Sequence, residues 1–332
     1  MELGVLYDLR NPPSSGISNA EIYAETLEHI EAMEALGFDV VWLTEHHFID
    51  DSYLPATLTM AAAVAARTER VTIGTAVLLL PLHDPLKVAE AAAVVDLLSG
   101  GRLRLGLGLG YKLQEFDVFG VDRRHRRGLM EEGVEVIRRA WANGPFTYEG
   151  RHHRYHDLDV TPKPAQRPGP EIWLAGRDPV PAERAARLGD GLIATPGPDT
   201  FASYLEARTR LGRTGSNNLC TFAFTYPTDD PERAVAELGS YAAYRMALYG
   251  QWYGEAADLA VDEGLRRMGS GESPVPIQSF FATPAEVAGQ LKDLAALGVD
   301  SVLWFATLPG ARPSATVPFF ETLMRDVKPQ LG

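Results

Sequence analysis

Eight times along this chain a short β-branched or leucine-rich run gives way to a longer stretch with helical spacing, and that alternation constrains the fold more than any other feature. The strand-like runs are 3–7, 40–43, 71–79, 103–109, 171–174, 191–194, 219–225 and 301–305. Helical spacing covers 19–36, 54–67, 85–98, 123–143, 179–188, 200–211 and 314–327, with several more helices before the last strand. Ser18 or Asn19 is placed to cap the first helix and Gly37 to stop it. Strict alternation means parallel strands joined by helical crossovers. Eight such units in 332 residues favour a closed (β/α)8 TIM barrel forming one domain over residues 1–332, with an open doubly wound sheet as the rival. The apolar fraction of 45% supplies a core of that size.

Two departures interrupt the pattern. Residues 146–155 hold two aromatic-rich arms around Glu149-Gly150 and read as a small hairpin inserted before the fifth strand. Between the seventh and eighth strands lies a long helical insertion, about 226–300, which includes the segment GSGESPVPIQS. Connections of that length are uncommon unless functional, so this one is expected to wall or cover the barrel mouth.

Net charge is −13, which argues against nucleic acid and against an anionic membrane as partners. A lone cysteine, Cys220, rules out an internal disulfide framework. No apolar run reaches the roughly 20 residues of a membrane span. The opening MELGVLYD reads as a strand rather than a leader, so a cytoplasmic location is expected. Nucleophile-elbow, Walker and His-Glu-x-x-His motifs do not occur, which removes the usual marks of hydrolases and nucleotide triphosphatases.

In a barrel the chemistry gathers where strands end. The second strand ends in VWLTEHHF, so His46 or His47 can take or give a proton near neutral pH. The ordinary alternative is one capping and one exposed histidine. A metal shared by the two is not expected, since neighbours on an extended chain point to opposite sides. Gly74, Thr75 and Ala76 end the third strand with small side chains that let a flat group approach, or that simply pack closely. On the fourth strand Gly106, Gly108 and Gly110 share one face, which leaves room for a ring system. Their spacing imitates a dinucleotide fingerprint, but a polar loop follows where a helix should start. Arg123, Arg124, Arg126 and Arg127 crowd a helix start, where cations are unfavourable without an anion nearby. The turn Ala175-Gly176-Arg177, followed by Asp178 as cap and Pro179, exposes backbone N–H groups suited to a phosphate. His152, His153 and His156 sit in the hairpin, where plain exposure is favoured over metal binding.

Taken together, LGFDVVWLTEHHF, VTIGTAVLLLPLHDPLKVAEAAAVVDLLSGGRLRLGLGLG, EFDVFGVDRRHRR and TPKPAQRPGPEIWLAG resemble the bacterial luciferase-like family of flavin-dependent monooxygenases and deazaflavin-using relatives. The resemblance covers nearly the whole chain. It implies that His46 is the catalytic histidine beside the flavin. It implies a non-proline cis peptide at Ala76-Val77 against the ring, and phosphate contacts from Arg127 and the Ala175-Gly176-Arg177 turn. Gly108, Gly110 and Tyr111 would complete the cofactor cradle, while His47, Phe48, Leu80, Phe224 and Tyr226 would line the substrate space. One position departs from the family: Leu109 stands where luciferases carry a further phosphate-contacting arginine. The implied activity is a two-component monooxygenase. It would use reduced FMN from a separate flavin reductase, pass through a flavin hydroperoxide and oxygenate a small organic substrate. Hydride transfer with a deazaflavin coenzyme is the alternative, and a non-catalytic flavin-binding protein is the third reading. A homodimer is also implied.

Overall fold

A computed structural model describes residues 1–253 and 277–331. Eight parallel strands close into a barrel in the order β1 (Glu2–Tyr7), β12 (Ser301–Phe305), β9 (Leu219–Ala223), β8 (Gly191–Ala194), β7 (Glu171–Gly176), β4 (Leu103–Leu107), β3 (Thr72–Thr75) and β2 (Val40–Leu43). The expected closed barrel is therefore present, and the open sheet is excluded. The helices that cross over lie outside it: α1 (Asn19–Leu36), α2 (Thr57–Arg67), α3 (Pro85–Ser99), α5 (Arg126–Trp141), α6 (Pro179–Leu188) and α7 (Pro198–Arg210). α1 starts where the sequence says it should. Ser18 accepts from the Glu21 amide while the Glu21 carboxylate accepts from the Ser18 amide, a reciprocal cap, and Gly37 ends the helix at φ 92°.

The hairpin before the fifth barrel strand forms from β5 (Phe146–Glu149) and β6 (Arg154–Leu158), antiparallel. Of the long insertion, the structure describes β10 (Tyr226–Pro227), α8 (Pro231–Tyr253), β11 (Phe281–Ala282) and α9 (Pro284–Ala296). Most of the GSGESPVPIQS segment lies outside the described residues. The short parallel pair β10–β11 was not expected from the sequence. A further helix, α4 (Leu113–Val118), occupies what reads in the sequence as an uninterrupted polar loop after the fourth strand. No described helix is long and apolar enough to cross a membrane.

The barrel interior is filled from below. Trp42 and Trp173 face each other at 5.9 Å, both almost wholly buried. Glycines on neighbouring strands make room for them: a Cβ on Gly74 would lie 2.1 Å from the Trp42 ring, and one on Gly191 2.3 Å from Trp173. Beneath the two indoles Arg104 spans Glu2 (2.9 Å) and Glu171 (3.3 Å), with its guanidinium 4.4 Å from the Trp173 ring centroid. Truncating either tryptophan would remove about 3–5 kcal/mol of stability by leaving a cavity.

This corrects the reading of the glycine face on β4. A Cβ on Gly106 would fall 1.8 Å from the Thr75 carbonyl oxygen, and one on Gly108 2.3 Å from Val77 Cγ2. The absent side chains are replaced by the neighbouring strand and by Val77, so these glycines serve close packing and leave no free volume.

Outside the barrel, His29 on α1 is buried between the Tyr7 hydroxyl (Nδ1, 2.8 Å) and Thr316 Oγ1 (Nε2, 3.2 Å). Burial pushes its pKa down from 6.5 to about 4. The folded protein thus keeps His29 neutral where the unfolded chain would protonate it. Stability should be full above pH 6.5 and fall progressively as pH drops toward 4. Urea midpoints measured across that range should decline in the wild type. In His29→Gln that part of the decline should vanish, and an identical pH slope in both proteins would sink the assignment.

Candidate active site at the carboxyl edge of the barrel

Past the end of β2 the chain continues extended through Thr44, Glu45, His46 and His47, so successive side chains leave on opposite sides. His46 goes one way and is 5% exposed. Its Nδ1 lies 2.8 Å from Glu115 Oε1 and its Nε2 2.9 Å from the Tyr111 hydroxyl. A carboxylate beside Nδ1 fixes the ring proton there and leaves Nε2 to accept from the tyrosine, the tautomer that satisfies all three groups. Tyr53 packs edge-on against the imidazole at 5.0 Å, and its hydroxyl meets Tyr249 of α8 at 3.2 Å. Glu115 Oε1 also accepts the His47 amide at 2.8 Å, while Oε2 is buried without a hydrogen-bond partner among the described residues.

Glu45 and His47 go the other way and meet His83. Both histidine Nε2 atoms stand 2.7 Å from Glu45 Oε1. Burial opposes the charge on Glu45, but hydrogen bonds and charge from His47 and His83 override it and hold its carboxyl down at about 2. Burial likewise opposes a proton on His83, and Glu45 overrides it, raising that pKa. His46 and His47 therefore face different partners.

Above the tryptophans the mouth is aromatic. Phe222, Phe224 and Phe305 stack with centroids 5.9–6.4 Å apart, and Tyr249 closes on Phe305 at 6.2 Å. Ala76 belongs to the same cluster, with Val77 packed against it. The Ala76–Val77 bond is cis, as the resemblance implies. α8 is fastened beside this cluster, where Arg245 places Nε 2.9 Å from Asp8 Oδ2 beyond the end of β1.

On the outer side of the mouth, α5 begins without a side-chain cap on its first turn, and so does α6 after Ala175, Gly176 and Arg177. Burial and then the charges of Arg123, Arg127 and Arg184 push the Arg126 pKa down, so four guanidiniums converge there. Arg126 Nη1 is buried with no hydrogen-bond partner among the described residues.

The sequence-derived site residues divide accordingly. His46, Tyr111, Ala76, Val77 and Phe224 come together at the mouth, with Gly108 against Val77. Gly110 takes φ +70° at the turn into α4, and Phe48 is exposed on the rim 5.4 Å from Phe119. Gly176 is buried in its turn and Arg177 is exposed. Two positions need correction. Leu80 is 1% exposed and packs on Gly133 of α5 in the outer core, away from any substrate space. Tyr226 is also core, with its hydroxyl donating to the Phe305 carbonyl at 2.8 Å. Arg127 is exposed beside Arg126, whose Nη1 is buried, and both lie in the arginine cluster. Glu115, Tyr53, Tyr249, Phe222, Phe305 and His83 complete the picture and were not singled out from the sequence as site residues.

A closed parallel barrel thus carries at its carboxyl edge a hydrogen-bonded histidine, a cis peptide across the mouth and an arginine cluster beside it. The chain belongs to the luciferase-like monooxygenase family, whose model matches residues 1–301. It is similar to the oxygenase component of a flavin-dependent trigonelline monooxygenase from Acinetobacter baylyi, 30% identical over 53% of this chain and 49% of that one. An F420-dependent glucose-6-phosphate dehydrogenase from Amycolatopsis mediterranei is 34% identical over 52% of this chain and 54% of the relative. The chain spans about half the length of the curated relatives it matches. Over its full length it superposes on a monooxygenase from Streptomyces bottropensis with a TM-score of 0.84 at 26% identity, covering 100% of both chains.

Proposed function

We propose that the protein is a two-component monooxygenase that takes reduced FMN from a separate flavin reductase and adds one oxygen atom of O2 to a small organic substrate. The observation that carries this reading is His46, held between Glu115 and Tyr111 at the edge of an aromatic mouth. A reduced flavin, when bound, supplies the two electrons that let one oxygen enter the substrate and the other leave as water. The residues present fit such a group: Ala76 and Val77 offer a flat edge, and the orphaned Arg126 Nη1 calls for an anion. Glu115 keeps the imidazole oriented and Nε2 is the atom at which a proton is held or moved, relayed through the Tyr111 hydroxyl. Phe222, Phe224, Phe305 and Tyr249 exclude water and give the substrate an apolar surface. The oxygenase-component name of the Acinetobacter relative supports the separate reductase. We take the working form to be a homodimer in the cytoplasm, the compartment in which reduced nicotinamide keeps such carriers supplied.

Anaerobic titration with reduced FMN, followed by admission of air, tests this reading. Reoxidation of the bound flavin should be slower than that of free flavin, and substrate should change its rate. Reoxidation as fast as in free solution, with tight deazaflavin binding in parallel, would favour hydride transfer instead. The convergence of Arg123, Arg126, Arg127 and Arg184 supports that second reading, since a longer anionic tail would use more of them.

The same cluster yields a sharper test. Arg126→Ala should weaken FMN binding about 10–100-fold, the loss of one charge-assisted contact, and leave riboflavin binding unchanged. Arg127→Ala should change either by less than about 3-fold, as befits an exposed charge. Flavin fluorescence quenching measures both, and a larger loss for Arg127→Ala than for Arg126→Ala would return the phosphate to Arg127.

A further inference from the structure

Three ligating side chains gather on the side of the β2 extension away from His46. Glu45 and His47 leave that strand end together, and His83 follows the turn Leu80–Leu82 that succeeds β3. Their ligand atoms all lie within 4.8 Å of one another. We propose that Glu45 Oε1, His47 Nε2 and His83 Nε2 form a binding site for one divalent transition-metal ion of the zinc type.

The donor set decides the class of ion. Two imidazoles and a carboxylate suit a borderline cation, whereas magnesium and calcium ask for oxygen ligands throughout. Zinc bonds of about 2.0–2.2 Å set tetrahedral ligand atoms roughly 3.3–3.6 Å apart. The two contacts to Glu45 Oε1 are 2.7 Å, so both imidazoles need to open by less than an ångström to admit the ion. Three protein ligands leave a fourth position, and it faces outward: the His83 side chain is 33% exposed while Glu45 is 1% exposed.

The ligands are also oriented by their surroundings, as metal ligands require. Glu45 Oε2 accepts the Leu79 amide at 3.1 Å, which aims Oε1 at the two rings. Phe119 packs edge-on against the His47 ring at 4.9 Å and an interplanar angle of 80°. A bound ion would clip the end of β2 to the loop that leads away from Ala76 and Val77. It would do so as a tie between the two loops, with the fourth position left to water. This departs from the expectation of no metal, which weighed His46 with His47. That pair does diverge, and the third ligand comes from a different loop.

Visible absorption tests the site in the full chain after chelator treatment. Co2+ should bind at one equivalent and show the d–d bands of a four- or five-coordinate ion. His83→Ala, at a partly exposed position that should not compromise folding, should weaken that binding by at least about 10-fold. His152→Ala, on the hairpin, should leave it intact. Zn2+ should raise the thermal midpoint of the wild type and of His152→Ala, but not of His83→Ala. Absence of the bands, binding that survives His83→Ala, or binding that His152→Ala removes would each overturn the proposal. None of these readouts depends on flavin or turnover, so this test and that of the monooxygenase reading fail separately.

Discussion

His46→Ala should lower turnover by about 10²–10⁴-fold, the range that a positioned proton-transfer group contributes. FMN affinity should change little, because nothing ties His46 to the anion end of the site. Glu115→Gln should reproduce part of that loss by a different route. The carboxamide can still accept a hydrogen bond, but without the negative charge the imidazole loses the partner that fixes its proton on Nδ1. The two variants are therefore distinguished by size: Glu115→Gln should keep part of the turnover that His46→Ala loses. Steady-state turnover with a competent reductase measures both. A His46→Ala enzyme with unchanged turnover would end the role assigned to this histidine.

Asp8→Asn should cost about 3–5 kcal/mol of folding stability, among the largest effects open to a single change that removes no carbon atoms. Asp8 lies between two guanidiniums, with Oδ2 3.5 Å from Arg10 Nε and 2.9 Å from Arg245 Nε, and all three side chains are at most 4% exposed. Asp51 supplies the second negative charge, 2.5 Å from Arg10. Among the described residues these four charges balance. Neutralising Asp8 takes away the carboxylate that both buried guanidiniums face, at a point where α8 is fastened to the barrel. The exposed pair Arg233–Glu237, at 2.8 Å, offers the contrast. Glu237→Gln should cost no more than about 0.5 kcal/mol. Urea unfolding of both variants tests the ranking, and similar midpoints would mean that water reaches the buried set.

Much of this architecture was legible in the sequence because the signals were periodic. Eight strands and their helices follow from a change of period between 2 and 3.6, and caps such as Ser18 with Glu21 are local chemistry. What escaped was set by contacts between distant residues. Glu115 went unread because α4 is only 6 residues long, too short to establish a period, though the Leu113 and Phe116 spacing hinted at a turn of helix. Arg126 and Arg127 differ by one position, which on a helix is about 100° of direction, and only packing against α6 decides which points inward. Leu80 and Tyr226 have side chains that suit either a pocket or a core. Their neighbours, Gly133 in one case and the Phe305 carbonyl in the other, lie 53 and 79 residues away. His83 joined Glu45 and His47 for the same reason, through the path of a loop.

The indole pair that fills the barrel also governs traffic. With Trp42 and Trp173 buried side by side in the barrel, molecules on the proposed reading would enter and leave at its carboxyl edge. Two molecules sharing such a vestibule obey last in, first out: the deeper one cannot depart until the shallower one has left. On that reading product-inhibition patterns should follow an ordered scheme.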